Sequence, residues 1–435
     1  MSRRRIINNF LSFSSGQIIA QGIVFLTLIY IARVVGPEGL GRIGFAQVFA
    51  SYFILFTDMG LNLLGAREVA SDRKQSAAYI NTILSLKLAL SVLLFLALVM
   101  MTALLDRTAD VRLLIIIYGL VIFPAAATLD WFFVGIEKMR TISFVSVARA
   151  LVFLTLCLVF VRGIDDVTRI ALAFLASYVV SAALYFVSVE RFAGYRARLD
   201  FSFGAWKKTM LMALPIGVLT VMGIMIEQQS VLVLGLFDSP ESVGLYYGIY
   251  KLVFIGTFII GLYGTSIFPA LTKTSGSAIT VTSVKAIVII GLPVIVLLSI
   301  FDGKVIALLL GEQYLAASGI FRIMLWALPL VALTNVFSRD LISKRRDRSC
   351  LAAMAVGFVI TVVLSLVLIP AYGLTGAAWC YFTGFAVTAL ATGGLISRTY
   401  RARRWQPAVD IQPLAGPEKY GEAGLKARYS NRGQR

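Results

Sequence analysis

The sequence predicts an all-α integral membrane protein with twelve transmembrane helices and both termini in the cytoplasm. Three observations lead there. Of the 435 residues, 59% are hydrophobic and only 14% charged, with mean hydropathy +0.87, a balance that requires lipid rather than water as the solvent for most of the surface. The apolar residues gather in runs of roughly 20, the length a helix needs to cross a bilayer core in which every backbone polar group must be paired. Lys and Arg recur in alternate loops, the pattern expected when cationic loops stay on the cytoplasmic side.

In chain order the spans fall at 10–33, 41–65, 79–103, 111–135, 142–162, 167–188, 211–235, 243–270, 281–301, 315–337, 350–369 and 373–397. Ser2 to Arg5 before an apolar run has the look of a signal peptide, but the run continues to about Ala32 without a small-residue cleavage pattern, so it reads as the first span. The sixth loop (Arg191, Arg196, Arg198, Lys207, Lys208) and the tenth (Arg339, Lys344, Arg345, Arg346, Arg348) are the strongest cytoplasmic markers. Much of the net charge of +18 is therefore a topology signal, and no nucleic-acid partner is expected. From Arg401 to Arg435 the chain is basic and lacks apolar periodicity, which predicts a disordered tail.

Several classes of chemistry are disfavoured. There is no histidine, which removes the commonest general base and metal ligand. Cys157, Cys350 and Cys380 lie in or beside apolar runs without metal-type spacing, so neither a metal nor a cofactor is expected. No phosphate-binding loop of the form GxxxxGK[ST] occurs, which argues against ATP hydrolysis. A membrane glycan polymerase or glycosyltransferase would want a substantial outer loop, and the outer carboxylates Asp106, Asp110, Asp165, Asp166 and Asp302 form no paired constellation.

A weak internal repeat is visible. Pro37, Glu38 and Gly41, entering the second span, recur as Pro240, Glu241 and Gly244 entering the eighth. A displacement of six helices would give two halves of like orientation, a plan some transporters use, although PE-x-x-G is also a common helix-start turn.

The stretch IARVVGPEGLGRIGFAQVFASYFILFTDMGLNLLGAREVA from Ile31 resembles the N-terminal signature of bacterial polysaccharide-biosynthesis flippases, members of the multidrug, oligosaccharidyl-lipid and polysaccharide exporter superfamily. The resemblance extends to LYYGIYKLVF from Leu245, LGEQYLAASGIFRIMLWALP from Leu310 and YGLTGAAWCYF from Tyr372. It implies a six-helix lobe over 1–188, a cytoplasmic linker over 189–210, a second six-helix lobe over 211–398 and the basic tail over 399–435, with a central cavity that alternates between faces. It implies a polyprenyl-pyrophosphate-linked oligosaccharide as substrate, in a bacterial inner membrane, with a polysaccharide polymerase or chain-length regulator as a possible neighbour. A multidrug-type cation antiporter and a lipid II flippase of the same superfamily are the alternatives. The first would favour an acidic cavity, and relatives of the second usually have fourteen spans.

Ionisable groups inside lipid cost about 2.5 to 3.5 kcal/mol each on insertion scales, so they are functional candidates by default. Lys87 and Arg149 fall roughly 10 to 13 Å deep from the cytoplasmic ends of the third and fifth spans, and Lys251 and Arg322 lie at similar depth from the outer ends of the eighth and tenth. A pyrophosphate takes point charges and forked donors, which these four supply. The competing reading has each cation neutralised by Asp58, Asp130 or Glu227, or snorkelling to the headgroups. Arg67 with Glu68 reads as a packing feature or gate pair.

For the glycan, Gln17 and Gln21 share one face of the first helix, Gln228 and Gln229 follow Glu227 in the seventh, and Tyr246 with Tyr250 forms another i, i+4 pair. The tyrosines also suit an interfacial aromatic belt. Glu227, Asp58 and Asp130 are the candidates for coupling to a proton or cation. The membrane potential, worth about 2.3 kcal/mol per charge per 100 mV, would itself assist export of a pyrophosphate.

Overall fold

A computed structural model describes residues 3–195, 198–273, 278–344 and 346–404. Among them the secondary structure is helical: α1 (Arg3–Asp58), α2 (Leu61–Ser71), α3 (Ser76–Leu104), α4 (Ala109–Leu120), α5 (Ile122–Ala126), α6 (Asp130–Gly135), α7 (Met139–Phe160), α8 (Val167–Ala193), α9 (Phe203–Phe237), α10 (Pro240–Lys273), α11 (Ala278–Ala286), α12 (Leu292–Ile300), α13 (Asp302–Leu309), α14 (Ser318–Ser343) and α15 (Asp347–Arg404). Among the described residues, those up to 393 form one compact unit and those from 394 to 404 belong to a second. The expected disordered tail lies outside the described residues from 405 onward, while 399–404 are helical.

Among the described residues ten helical stretches are long and apolar enough to cross a membrane. Two are far longer than one crossing, because 56 residues of straight helix such as α1 would span about 84 Å against a hydrocarbon core of about 30 Å. Each leaves helical geometry once, at Gly36 (φ 68°, ψ −179°) before Pro37 in α1 and at Gly373 (φ 53°, ψ −126°) after Pro370 in α15. Proline removes a backbone donor and clashes with the preceding turn, so the ladder opens where the chain must redirect. These are the short connections expected between the first and second and between the eleventh and twelfth spans.

Two interruptions were not anticipated. The expected second span breaks at Met59 (φ 37°) and Gly60 (φ 85°), between α1 and α2. The expected fourth is divided into α4, α5 and α6, with Asp130 heading the last. Both regions are apolar overall, although Asp58 and Gly60 punctuate the first and Pro124 and Asp130 the second, and apolarity reports burial in lipid without reporting helical continuity.

Large side chains such as Leu93, Leu96, Met100, Ile289, Ile290 and Leu390 stand on exposed faces, as a lipid environment requires. The interior holds two clusters. One gathers α1, α4, α10 and α14 around Leu40, Tyr118, Tyr247 and Met324, and the other gathers α2, α3, α6 and α7 around Trp131, Phe133, Ile83 and Val145.

The two PE-x-x-G segments meet. A Cβ placed on Gly41 would overlap the Pro240 carbonyl oxygen and lie 2.7 Å from the Gly244 nitrogen, and one on Gly244 would overlap the Pro37 carbonyl oxygen and lie 2.8 Å from the Gly41 nitrogen. The contact is reciprocal, as in a two-fold arrangement, and backbones approach this closely only where small residues face each other. Around it Arg33 donates to the Leu308 and Leu309 carbonyls, Arg107 donates to the Gly235 carbonyl, and Gln313 (3.1 Å) and Tyr314 (3.2 Å) donate to the Ala32 carbonyl. One end of the bundle is thereby fastened between its sequence halves. Roughly 25 Å along α1 they meet again, where a Cβ on Gly60 would lie 2.6 Å from the Gly217 nitrogen.

Outside the spans, Asp166 closes the α7–α8 turn by accepting from the backbone N–H groups of Arg162 (2.8 Å) and Gly163 (3.0 Å), and its other oxygen faces Arg169 at 2.7 Å. The Arg162 and Gly163 donors, with Arg169, hold its carboxyl below the ordinary value of 3.8. Because the folded value is the lower one, its support of the turn is complete above 3.8 and fades as pH falls through the depressed value. Carbon-13 NMR titration of this carboxyl is expected to give a midpoint below 3.8, and a midpoint above it would contradict the assignment.

Candidate functional site

A cavity opens between α1 and α10, with α4, α7 and α8 completing its wall. Its wall is mostly apolar, with Val24, Phe25, Leu28, Phe153 and Phe254, and its polar groups are Gln21, Gln47, Tyr118, Tyr247 and Lys251. The Lys251 ammonium lies 4.9, 5.6 and 5.8 Å from the ring centres of Tyr247, Tyr250 and Phe254. Aromatic faces attract a cation without neutralising it. No carboxylate lies within ion-pair distance of Lys251 among the described residues, and the buried Glu227 carboxylate acts on it only through its longer-range field. Tyr247 donates to the Gln47 side-chain oxygen at 2.5 Å, which braces the wall across the two halves.

Gln21 and Lys251 are thus brought together. Gln47 and Tyr247 were missed, although an amide within an apolar run and a tyrosine four residues before Lys251 were both legible signals. Gln17 lies outside the cavity wall and donates to Ser146 of α7 at 3.1 Å. Gln228 accepts from Ser51 at 3.4 Å. Gln229 is buried and ties α9 to α15, accepting from Ser365 at 2.8 Å and donating to the Thr361 carbonyl at 3.4 Å. Tyr246 and Tyr250 are 0% and 1% exposed, which removes the aromatic-belt reading, and neither lines the cavity. They stand with Tyr381, also fully buried, within electrostatic reach of Glu227, one of whose oxygens is buried without a hydrogen bond.

The other three cations differ. Arg149 lies with its guanidinium 4.8 Å from the ring centre of Tyr178, and no carboxylate pairs with it among the described residues. Lys87 is 3% exposed and sits 3.3 Å from Asp58 and 3.0 Å from the Asn62 side-chain oxygen. Asp58 ends α1 at the Met59–Gly60 break, and Asp130, within reach of both Asp58 and Lys87, buries one oxygen without a partner. Two interrupted helices therefore converge on one carboxylate–ammonium knot. Arg322, with its side chain 59% exposed, pairs at 2.5 Å with Asp302. Arg67 pairs with Glu68 at 3.0 Å. No group of three or more metal-ligating side chains occurs among the described residues.

Residues 6–275 match the family model described as polysaccharide biosynthesis protein, well over half of the chain. The chain belongs to this family. A curated relative, the "Putative O-antigen transporter" of Escherichia coli (strain K12), is 26% identical over 227 residues, 50% of this chain and 53% of that protein. The chain thus spans about half the length of the curated relative it matches. Two solved structures share the fold. The lipid II flippase MurJ in an inward closed conformation gives TM-score 0.68 at 12% identity, over 88% of this chain and 87% of MurJ. A multidrug resistance MATE family transporter of the MOP superfamily, inward-facing, gives 0.69 at 15% identity, over 89% and 96%. This member of the polysaccharide biosynthesis family is a multi-pass membrane protein, and the relatives so described are transporters and a flippase rather than enzymes.

Proposed function

We propose that the chain is a flippase that carries a polyprenyl-pyrophosphate-linked oligosaccharide from the cytoplasmic to the outer leaflet of the bacterial inner membrane, for synthesis of a surface polysaccharide. One observation carries this reading: the cavity between the halves presents a lysine ammonium held by aromatic rings in a mostly apolar wall, with no carboxylate in ion-pair contact among the described residues. An acidic cavity would suit a cationic drug, and an unpaired cation suits a phosphate.

Counting α1 and α15 as two crossings each brings the ten stretches to twelve, six in 1–188 and six in 211–398, joined by a linker over 189–210 with both termini in the cytoplasm. Transport runs by alternating access, with the Gly41–Gly244 crossing as the closed outer end in this state. Lys251 and Arg149 engage the pyrophosphate, while Lys87 and Arg322 stand as weaker candidates because each already faces a carboxylate. Gln21 meets the sugar hydroxyls inside the cavity, and Gln17, Gln228, Gln229, Tyr246 and Tyr250 shape the path behind it. Glu227, Asp58 and Asp130 couple transport to a proton or cation. A polysaccharide polymerase or chain-length regulator would receive the product. The fold match to MurJ keeps a lipid II flippase as the second reading, since its cargo is also a lipid pyrophosphate.

The test is translocation of a fluorescent polyprenyl-pyrophosphate oligosaccharide in proteoliposomes. Lys251→Ala and Arg149→Ala are each expected to lower the initial rate by about tenfold or more, the loss of one charge-assisted contact of about 1.5 to 3 kcal/mol. Unchanged rates in correctly inserted variants would remove these residues from the substrate path.

A further inference from the structure

We propose that the groove bounded by the Arg73–Gln75 turn, the α6–α7 turn and the end of α8 binds the phosphate headgroup of an anionic phospholipid. The groove shares no lining residue with the cavity between the halves, so it is a separate site. It lies beyond α2, at the end of the bundle opposite the Gly41–Gly244 crossing, where the basic loops collect.

Its chemistry is one-sided. Arg73, Lys74 and Lys138 line it, and no carboxylate does. The nearby Asp72 is engaged elsewhere, accepting from the Lys74 backbone N–H at 2.9 Å and from the Gln75 side chain at 3.0 Å. None of the three cations forms an ion pair among the described residues. The Lys138 ammonium instead stands 3.6 Å from the ring centre of Phe192, presented by a turn in which Glu137 adopts φ 63°. A ring fixes the position of that charge and leaves it uncompensated.

Below the cations the lining turns apolar. Ile80 and Phe132 are 1% and 2% exposed and form the floor, while Phe192 is 47% exposed beside Ile136. A basic rim over an apolar floor matches a lipid phosphate with the first methylenes of its chains, and basic pockets between transmembrane helices on the cytoplasmic side are known lipid headgroup sites. Arg73 supplies a planar fork for phosphate oxygens, and the two lysines supply point charges. Loop cations that served topology alone would need neither a floor nor an aromatic partner.

The experiment is native mass spectrometry of the full chain released from nanodiscs containing phosphatidylglycerol and phosphatidylcholine in equal amounts. Preferential retention of phosphatidylglycerol is expected, reduced about tenfold in Arg73→Gln/Lys74→Gln/Lys138→Gln and severalfold in Lys138→Gln alone. All three side chains are exposed, so an unchanged melting temperature accompanies the loss. Equal retention of the two lipids, or a triple variant that still retains phosphatidylglycerol, overturns the site. Displacement of phosphatidylglycerol by farnesyl pyrophosphate but not by inorganic pyrophosphate would overturn the phospholipid assignment in favour of a loading site for isoprenoid cargo. Lys251→Ala is expected to leave retention untouched, which separates this site from the proposed transport path.

Discussion

Gly41→Ala and Gly244→Ala are each expected to lower transport by about a hundredfold while leaving insertion intact. The added methyl group has nowhere to go: at either position it overlaps a carbonyl oxygen of the opposite helix start, and backbone cannot rotate aside as a side chain can. Relief requires the two segments to separate. That lengthens the hydrogen bonds from Gln313 and Tyr314 to Ala32 and those made by Arg33 and Arg107 across the same end. Neutral bonds of this kind contribute about 0.5 to 1.5 kcal/mol and those from charged donors about 1.5 to 3, so losing part of the set removes roughly 3 kcal/mol from the closed state. About 2.7 kcal/mol is a hundredfold shift in population. A membrane-impermeant maleimide applied from outside is expected to label Leu40→Cys, at the cavity wall, faster in the glycine variants than in the parent. The three native cysteines are buried and would stay silent. Normal transport in Gly41→Ala would show that this crossing does not need to close.

Lys87→Met is expected to be the most destabilising single change in the first half. Lys87 is 3% exposed and its removal leaves Asp58 without its ammonium and Asn62 without its donor. Breaking a buried pair from one side costs about 3 to 5 kcal/mol, and the lower end applies because the Asp58 side chain retains 26% exposure. Adding Asp58→Asn to Lys87→Met should recover a large part of the loss, since the orphaned charge is then gone. Thermal unfolding in detergent, run as a double-mutant cycle, reads both effects. A Lys87→Met protein as stable as the parent but inactive in transport would make Lys87 a substrate ligand rather than a counter-ion.

The long apolar helices were legible because lipid selects apolar runs of fixed length, and the turns at Gly36–Pro37 and Pro370–Gly373 announced themselves through proline and glycine. The break at Met59–Gly60 was missed although Asp58, Gly60 and Asn62 mark it, because single polar residues and glycines are tolerated within a membrane helix. Unpaired and paired cations also look alike in sequence. Lys251 and Lys87 are each a lysine inside an apolar run, and only the packing of α10 against aromatic rings and of α3 against Asp58 distinguishes them. The recurrence of PE-x-x-G was visible as spacing, but its meaning, two helix starts pressed together, depends on contacts between residues two hundred positions apart. Gln47 was overlooked for a related reason: one amide among apolar neighbours gains significance only when Tyr247 arrives from the other half.

The most direct measurement of the central claim is substrate choice by the unmodified protein in proteoliposomes, offered a polyprenyl-pyrophosphate oligosaccharide in one preparation and a small organic cation in another. Protein-dependent movement of the lipid-linked oligosaccharide, with the organic cation left behind, is the expected result. Export of the organic cation with no movement of the pyrophosphate lipid would contradict a flippase built around the unpaired Lys251.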